Sequence, residues 1–239
     1  MLVDRSNIDQ ADFWNGAILL VDKPVGFSSF KLVYEVKKAI CRGTNQKLKI
    51  GHAGTLDPLA AGLLILCTGK LTKQISQFQE MVKQYSGNLI LGASRPTCDL
   101  ESEIDLVFET THIDDAMMDV VRMGLMGEQM MTPPIHSAVK VKGQRAYQLA
   151  REGKEVNLEP KPIIIHQFDI DSAIFPEVQF VVSCSKGTYI RSLVSEFGTR
   201  LQSGAYLSFL KRDAIGEFKL ENAWKLDDLK NYLNTLEKH

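Results

Sequence analysis

Residues 51–66 read Gly51-His52-Ala53-Gly54-Thr55-Leu56-Asp57-Pro58-Leu59-Ala60-Ala61-Gly62-Leu63-Leu64-Ile65-Leu66. An acidic residue, Asp57, stands between a glycine-rich approach and a proline, shortly before a run of apolar residues. Pro58 fixes its own φ and disfavours helical backbone at Asp57, so the carboxylate is held on stiff, extended or turn backbone. An Asp-Pro pair alone predicts only a turn. The glycines around it leave room for a ligand. The whole stretch therefore favours a nucleophile in a fixed position over a solvated surface charge.

Three further stretches carry motifs around this one. Each combines glycine or proline with lysine, serine, tyrosine or arginine, which are residues that shape a loop and contact a polar ligand. In chain order they are Lys23-Pro24-Val25-Gly26-Phe27-Ser28-Ser29, Pro133-Pro134-Ile135-His136-Ser137-Ala138-Val139-Lys140 and Ser185-Lys186-Gly187-Thr188-Tyr189-Ile190-Arg191.

Taken together, the four motifs resemble those of the TruB-type tRNA pseudouridine-55 synthases, from about residue 16 to about residue 213. The resemblance implies an α+β fold of the pseudouridine synthase type, a mixed and largely antiparallel sheet with flanking helices and a central cleft. It also implies an isomerase that converts uridine-55 in the T loop of tRNA to pseudouridine, with an aspartate nucleophile and base flipping. The implied partner is the T-arm of tRNA.

The same resemblance assigns roles to seven side chains. Asp57 is the implied nucleophile, and Arg191 is the cation that would offset its desolvation. His52 is implied to help displace the base. Tyr85 and Tyr189 are implied to line the uridine pocket. Leu210 is the implied apolar pocket residue, and Lys23 is implied to support the active-site loop.

Without the motifs, these residues have ordinary structural explanations. A helix arginine is usually exposed, tyrosines are commonly core aromatics, and a lone loop histidine is usually a hydrogen-bonding turn residue. Tyr189 and Arg191 are also two positions apart, so they would point to different sides of a helix. If both face Asp57, residues 185–191 must be extended and the helix must begin after them.

Two motifs depart from the family pattern. His136 stands where the Pro-Pro motif usually has a tyrosine. The segment Arg95-Pro96-Thr97-Cys98-Asp99 only partly follows a more polar stretch of the family, and it retains Thr97 and Asp99. Both departures would alter the fit to RNA, and neither touches the nucleophile.

The composition is ordinary for a soluble globular protein of 239 residues, with 44% hydrophobic and 24% charged residues. We expect one catalytic domain over residues 1–239 without a C-terminal PUA domain, because few residues follow Asp213. The chain has no apolar run of about 18 residues and no signal-peptide core at its start, which predicts a cytoplasmic protein away from membranes. The four widely spaced cysteines predict reduced thiols rather than a zinc site or disulfides.

The charge distribution is uneven. A net charge of −1 and a pI near 6.5 lack the basic signature of many nucleic-acid binders. Six basic residues nevertheless lie between Lys31 and Lys49 against the single acidic Glu35, whereas residues 99–119 carry eight acidic and no basic residues. A basic face directed at phosphates and a solvated helix face explain this pattern equally well.

Hydrophobic periodicity predicts strands at residues 17–21, 85–91, 163–170 and 178–184. Apolar spacings of three and four predict amphipathic helices, the first capped by Ser28 and Ser29 and another started by Asp114 or Asp115. A further helix is predicted at 146–152. The five amphipathic helices have these apolar positions, in chain order: Phe30, Val33, Val36 and Ile40; Leu71, Ile75 and Phe78; Met117, Val120, Val121 and Leu125; Ile190, Leu193, Val194, Phe197 and Leu201; and Leu226, Leu229, Leu233 and Leu236.

The sequence lacks dinucleotide-binding and zinc-protease motifs, so we expect neither a cofactor nor a metal, and we expect a monomer. The implied chemistry needs an ionised carboxylate that attacks the nucleotide or takes a proton from its ribose, and both routes stay open. A synthase for another RNA and an RNA chaperone are alternatives. A hydrolase that uses Asp57 is disfavoured because no paired acid–base partner stands at recognisable spacing.

Overall fold

The computed structural model describes residues 1–135, 137, 139–141, 144–146 and 158–235. The chain forms two compact units: Met1–Tyr85 with Lys211–His239, and Ser86–Leu210. Its strands are β1 Leu2–Val3, β2 Ile18–Lys23, β3 Ile50–His52, β4 Ala61–Thr68, β5 Lys83–Leu91, β6 Ala93–Ser94, β7 Leu106–Val107, β8 Gly127–Met131, β9 Lys140–Val141, β10 Gln144–Arg145, β11 Lys161–Ile174, β12 Glu177–Cys184, β13 Ala205–Ile215, β14 Phe218–Lys219 and β15 Trp224–Lys225. Its α-helices are α1 Ser29–Ile40, α2 Ile75–Glu80, α3 Asp115–Gly124, α4 Ile190–Arg200 and α5 Leu226–Thr235, with 3-10 turns at Ile8–Gln10, Gly69–Gln74 and Leu220–Asn222.

The first unit is organised around strands β2 and β4, which pair antiparallel from Ile18↔Cys67 to Lys23↔Gly62. β2 also pairs in parallel with β1 and β15, and β4 pairs antiparallel with β3 and in parallel with β13. Because parallel and antiparallel pairings occur together, the sheet is mixed. The predicted α+β class is confirmed.

Strand β4 explains why the apolar run after Asp57 has no polar positions. Leu64 and Leu66 face one hydrophobic core, together with Leu32 and Val36 of α1. The alternate residues of β4 face a second core on the other side of the strand. This second core also contains Phe78 of α2. A strand that is buried on both faces reads as continuous apolar sequence. The neighbours that face the second core are Leu63, Ile65 and Cys67.

Helix α1 begins as predicted, with the Ser28 side chain accepting a hydrogen bond from the Lys31 N–H at 3.1 Å. The predicted apolar face is wrong at Phe30, which is 77% exposed. The buried line of the helix passes through Leu32 and Val36, and Phe30 lies two positions before it, on the opposite side.

The second unit is built on β11, which pairs antiparallel with β12 on one side and with β8 on the other. Phe168 of β11 makes edge-on contacts with Phe180 of β12 and with Phe197 of α4, at centroid distances of 6.2 and 5.8 Å. Helix α4 therefore packs on this pair of strands through aromatic side chains. The predicted strands at 163–170 and 178–184 and the predicted helix from Ile190 are confirmed.

Some predicted helices differ in detail. The helix predicted from Leu71 is a 3-10 turn, Gly69–Gln74, that continues into α2. Helix α3 is capped by Asp114 as predicted, but Val120 is 71% exposed because it lies two positions after the buried Met118. The predicted helix at 146–152 and the last predicted apolar position, Leu236, lie outside the described residues.

Candidate active site

Asp57 lies in a short turn of the first unit, and its side chain is half-buried. The Ala60 N–H donates to the Asp57 carbonyl at 3.1 Å, with Pro58 at the second position of the turn, where its fixed φ is favoured. On the preceding side, the Ser29 hydroxyl accepts from the Leu56 N–H at 2.9 Å and donates to the Leu56 carbonyl at 3.0 Å. The backbone is thus held on both sides of the aspartate.

Lys23 supports the same turn from the end of β2. Its side chain is fully buried, and its ammonium group donates to the carbonyls of Phe27 at 2.7 Å, Pro24 at 3.1 Å and Pro58 at 3.4 Å. The Gly26 N–H reaches the same Pro58 carbonyl at 2.8 Å. Residues 23–27 and the Asp57 turn are therefore joined by several hydrogen bonds.

The electrostatics of Lys23 link it to the nucleophile candidate. Burial lowers the pKa of Lys23 from 10.5 to about 8, while the negative charge of Asp57 opposes this shift and the positive charge of Arg212 adds to it. At neutral pH the lysine is still mostly protonated. Because the attraction between Lys23 and Asp57 is mutual, the charged lysine favours the ionised carboxylate that the chemistry requires.

Arg212 is a buried part of this site that the sequence analysis missed. It lies on β13 with 1% exposure, and its guanidinium donates to the carbonyls of Leu63 at 2.8 Å and Gly54 at 3.1 Å. The signal in the sequence is a basic residue inside a strand whose neighbours are partly apolar. Buried arginines are rare unless their donors are satisfied, so this one serves to fasten the loop before Asp57.

His52 ends β3 and is half-buried. Burial first, and the positive charge of Arg212 second, lower the pKa of His52 below 6.5. The imidazole is therefore neutral at pH 7, with one nitrogen able to donate and the other able to accept a hydrogen bond. Tyr85 lies further along the chain on β5, where it is 8% exposed and shares its face of the strand with Lys83.

The second unit contains Tyr189 and Arg191. Tyr189 is the N-cap of α4 with extended backbone, at φ −96° and ψ 109°, and the helix begins at Ile190. Residues 186 and 187 form a turn and Arg191 lies in the helix, so the extended segment 185–191, stated as the condition for both side chains to face Asp57, does not form. Because Tyr189 precedes the helix, its direction is independent of the helical turn that positions Arg191.

Arg191 is 4% exposed and is held by the segment that departs from the family pattern. Its guanidinium donates to the Thr97 carbonyl at 3.2 Å, and its Nε lies 3.7 Å from an Asp99 carboxylate oxygen. Between these two residues Cys98 has a φ of +58°, which turns the backbone so that both can approach the arginine. The two family residues that this segment retains are thus the two that position Arg191.

The remaining predicted positions are less informative. Leu210, on β13, is half-buried. In the Pro-Pro motif His136 and Ala138 lie outside the described residues, while Pro133 and Ser137 are buried. His112, which carries no motif, contacts the Leu201 carbonyl at 2.9 Å.

The described part of the chain has no group of three or more His, Cys, Asp or Glu side chains that could hold a metal ion. Within the same residues, no helix is both long and apolar enough to cross a membrane. All four cysteines are free thiols, and burial raises the pKa of Cys67 to about 11, so this thiol stays protonated.

Comparison with solved structures gives the class of the fold. The chain matches a chain of the Cbf5–Nop10–Gar1 complex with a TM-score of 0.70 and 26% identity. It also matches an H/ACA ribonucleoprotein bound to a substrate RNA that contains 2′-deoxyuridine, with a TM-score of 0.66 and 24% identity. The matches cover 94% and 92% of this chain but only 56% and 54% of those chains. This fold is that of the pseudouridine synthases.

Sequence comparison narrows the class to a family. The model of the TruB family pseudouridylate synthase N-terminal domain matches residues 41–190. Proteins named tRNA pseudouridine synthase B are 45% identical in Flavobacterium johnsoniae and 46% identical in Bacteroides fragilis. These matches cover 89% and 88% of this chain and 93% and 91% of the relatives. The chain belongs to the TruB family of pseudouridylate synthases, which are isomerases.

Proposed function

We propose that this protein converts uridine-55 in the T loop of tRNA to pseudouridine. The observation that carries the proposal is the Asp57 turn, fixed by Ser29, Gly26 and Lys23, in a chain whose relatives are named tRNA pseudouridine synthase B. The proposed substrate is the T-arm of tRNA. We further expect a cytoplasmic monomer that needs neither a metal nor an organic cofactor.

The reaction rearranges one nucleotide without net gain or loss of atoms. The bond between N1 of uracil and C1′ of the ribose breaks, the base turns, and a bond forms between C5 and C1′. The proton on C5 is released to solvent and N1 gains a proton. Asp57 attacks the nucleotide or takes a proton from its ribose, and both routes require an ionised carboxylate in a fixed position. The neighbouring positive charge of Lys23 supports that requirement.

The other residues are proposed to handle the extruded base. Tyr85 and Tyr189 would stack on it, a contribution of roughly 1–3 kcal/mol per base. His52, neutral at pH 7, would help displace the uridine from its loop by exchanging hydrogen bonds. Leu210 would supply apolar contact, and Arg191, positioned by Thr97 and Asp99, would supply a cation.

The substrate assignment is tested with a tRNA transcript that carries tritium at C5 of its uridines. Pseudouridine formation releases this label into water, so release can be counted directly. We expect release from the intact transcript and none above background when the T-loop uridine is replaced by cytidine. Equal release from both transcripts would contradict the uridine-55 site, and no release from either would contradict tRNA as the substrate.

A further inference from the structure

The outward face of helix α1 exposes two aromatic side chains. Phe30 is 77% exposed and Tyr34 is 55% exposed. They are four positions apart, so they lie next to each other on one side of the helix. The exposed Lys37 and Lys38 continue the same side by a further turn. We call these four residues the α1 face.

The charge on this helix is positive toward solvent. Glu35 is its one acidic residue, and the Glu35 carboxylate is paired with the Lys230 ammonium at 3.1 Å, where α1 packs on α5. The exposed charges of the helix are therefore all lysines. At the start of the helix, Lys31 lies 4.2 Å from the centre of the Phe27 ring.

The α1 face begins beside the Asp57 turn. Ser29, in the first turn of the helix, is hydrogen-bonded to Leu56, and Gly26, just before it, is hydrogen-bonded to Pro58. A helix of 12 residues extends about 18 Å from this point. A strand of RNA that leaves the site along α1 would meet the aromatic pair first and the two lysines next.

We propose that the α1 face is a docking surface for the substrate RNA that flanks the reacting uridine. Aromatic rings that stack on bases, combined with lysines that contact phosphates, are the usual elements of binding to unpaired nucleic acid. The alternative occupant, a protein, is disfavoured because lysine is depleted in protein interfaces. The inference rests on the proposed function, since it takes the substrate to be RNA.

Binding of a tRNA transcript whose T-loop uridine is replaced by cytidine tests the aromatic pair without turnover. The double variant Phe30→Ala/Tyr34→Ala is expected to raise the Kd about fivefold or more, the loss of at least one stacked base. The matched control is Val120→Ala/Met123→Ala, two exposed apolar residues on α3 that are 71% and 60% exposed. The control is expected to bind the transcript like the unmodified protein.

The lysines are tested by the salt dependence of the same binding. Each phosphate contact to single-stranded nucleic acid contributes about 0.7 to the slope of log Kd against log salt. The variant Lys37→Gln/Lys38→Gln is therefore expected to lower that slope by about 1.4. Its control, Lys161→Gln/Lys219→Gln, changes two exposed lysines elsewhere and is expected to leave the slope unchanged.

The outcomes separate this proposal from the proposed function. Unchanged Kd and unchanged salt slope in both α1 variants would overturn the docking surface, even if the protein releases tritium normally. Self-association of the unmodified protein that the aromatic variant abolishes, with RNA binding unaffected, would overturn it in favour of a second copy. If the variants weaken RNA binding as expected but no tritium is released, the surface stands and the uridine-55 reaction falls.

Discussion

Among single residues, Ser29 and Lys23 hold the backbone on either side of the candidate nucleophile. Ser29 holds the residue before Asp57, and Lys23 holds the carbonyl after it. Lys23 also places a positive charge near the carboxylate, at the cost of burying an ammonium group. Position and ionisation of Asp57 therefore depend on the same lysine, which makes its titration informative.

The pKa of Lys23 predicts a specific dependence of stability on pH. Its value of about 8 in the folded protein lies below 10.5, the value of an unperturbed lysine. Between pH 8 and pH 10.5 the unfolded chain holds a proton on Lys23 that the folded chain has released. The free energy of unfolding therefore rises with pH across this window, and the added stability is lost again as the pH falls to 8. Urea unfolding of the unmodified protein and of Lys23→Met is expected to diverge in this window by up to about 1.4 kcal/mol per pH unit, with the unmodified protein gaining.

The same comparison below pH 7 is the internal control, because Lys23 is protonated in both states there and the difference between the two proteins is expected to be flat. A flat difference across pH 8 to 10 as well would contradict the depressed pKa of Lys23.

Two adjacent serines provide a matched pair of substitutions. Ser29→Ala removes both hydrogen bonds to Leu56 in a buried position and is expected to cost about 1–3 kcal/mol of stability. It is also expected to lower kcat, because the Asp57 backbone is released. Ser28→Ala removes only an exposed helix cap, which costs about 1 kcal/mol, and is expected to leave kcat unchanged. Chemical denaturation and tritium-release rates measure both, and equal kcat losses in the two variants would refute the assigned role of Ser29.

At the scale of elements, the sequence predicted the type of most segments and failed on which side of a helix is buried. Strand β5 was predicted from its alternation, whereas the apolar run that forms β4 was not assigned to any element. Phe30 and Val120 were assigned to buried faces although both are exposed. Helical spacing fixes which residues share a face, but an exposed aromatic or aliphatic residue adjacent to that face is indistinguishable from a core residue until the partner elements are known.

The pairing of β4 with β13 depends on Gly62. Its φ is +105°, and a Cβ there would lie 2.4 Å from the carbonyl oxygen and 2.6 Å from the backbone nitrogen of Arg212. Because Arg212 is held in this strand pair, Gly62→Ala is expected to prevent folding, seen as insoluble protein or loss of the cooperative melting transition.

Gly26→Ala is the control for the backbone alone. Its φ is +84°, but no described atom lies within 4 Å of the added Cβ. It is therefore expected to fold with a loss of about 1–2 kcal/mol, the cost of left-handed backbone for a residue with a Cβ. A soluble Gly62→Ala protein with a similarly small loss would show that the close approach to Arg212 is not essential.

At the scale of the whole molecule, the four motifs predicted both the pseudouridine synthase fold and membership of the TruB family. They could not predict Arg212, because its importance arises only when β13 pairs with β4 and its guanidinium reaches the loop before Asp57. Nor could they predict that Thr97 and Asp99 position Arg191 from a point more than 90 residues earlier in the chain. Long-range contacts of this kind leave no periodicity in the sequence.

Net charge is a second property of the whole molecule. At −1 it gives no general attraction to RNA, so binding must depend on local basic surfaces. The lysines of α1 are one such surface, and the Lys47–Lys49 segment before the Asp57 loop is another basic stretch. This distribution is consistent with an enzyme that contacts RNA on a limited area.

Asp57 is the proposed nucleophile of this tRNA pseudouridine synthase. The most direct test measures tritium release from C5-labelled tRNA under single-turnover conditions with Asp57→Asn, and with Asp119→Asn, an exposed aspartate on α3, as the matched control. We predict that Asp57→Asn loses about 10⁴-fold or more in rate while it still binds the transcript, and that the control keeps the unmodified rate. Release by Asp57→Asn within tenfold of the unmodified protein would contradict the claim.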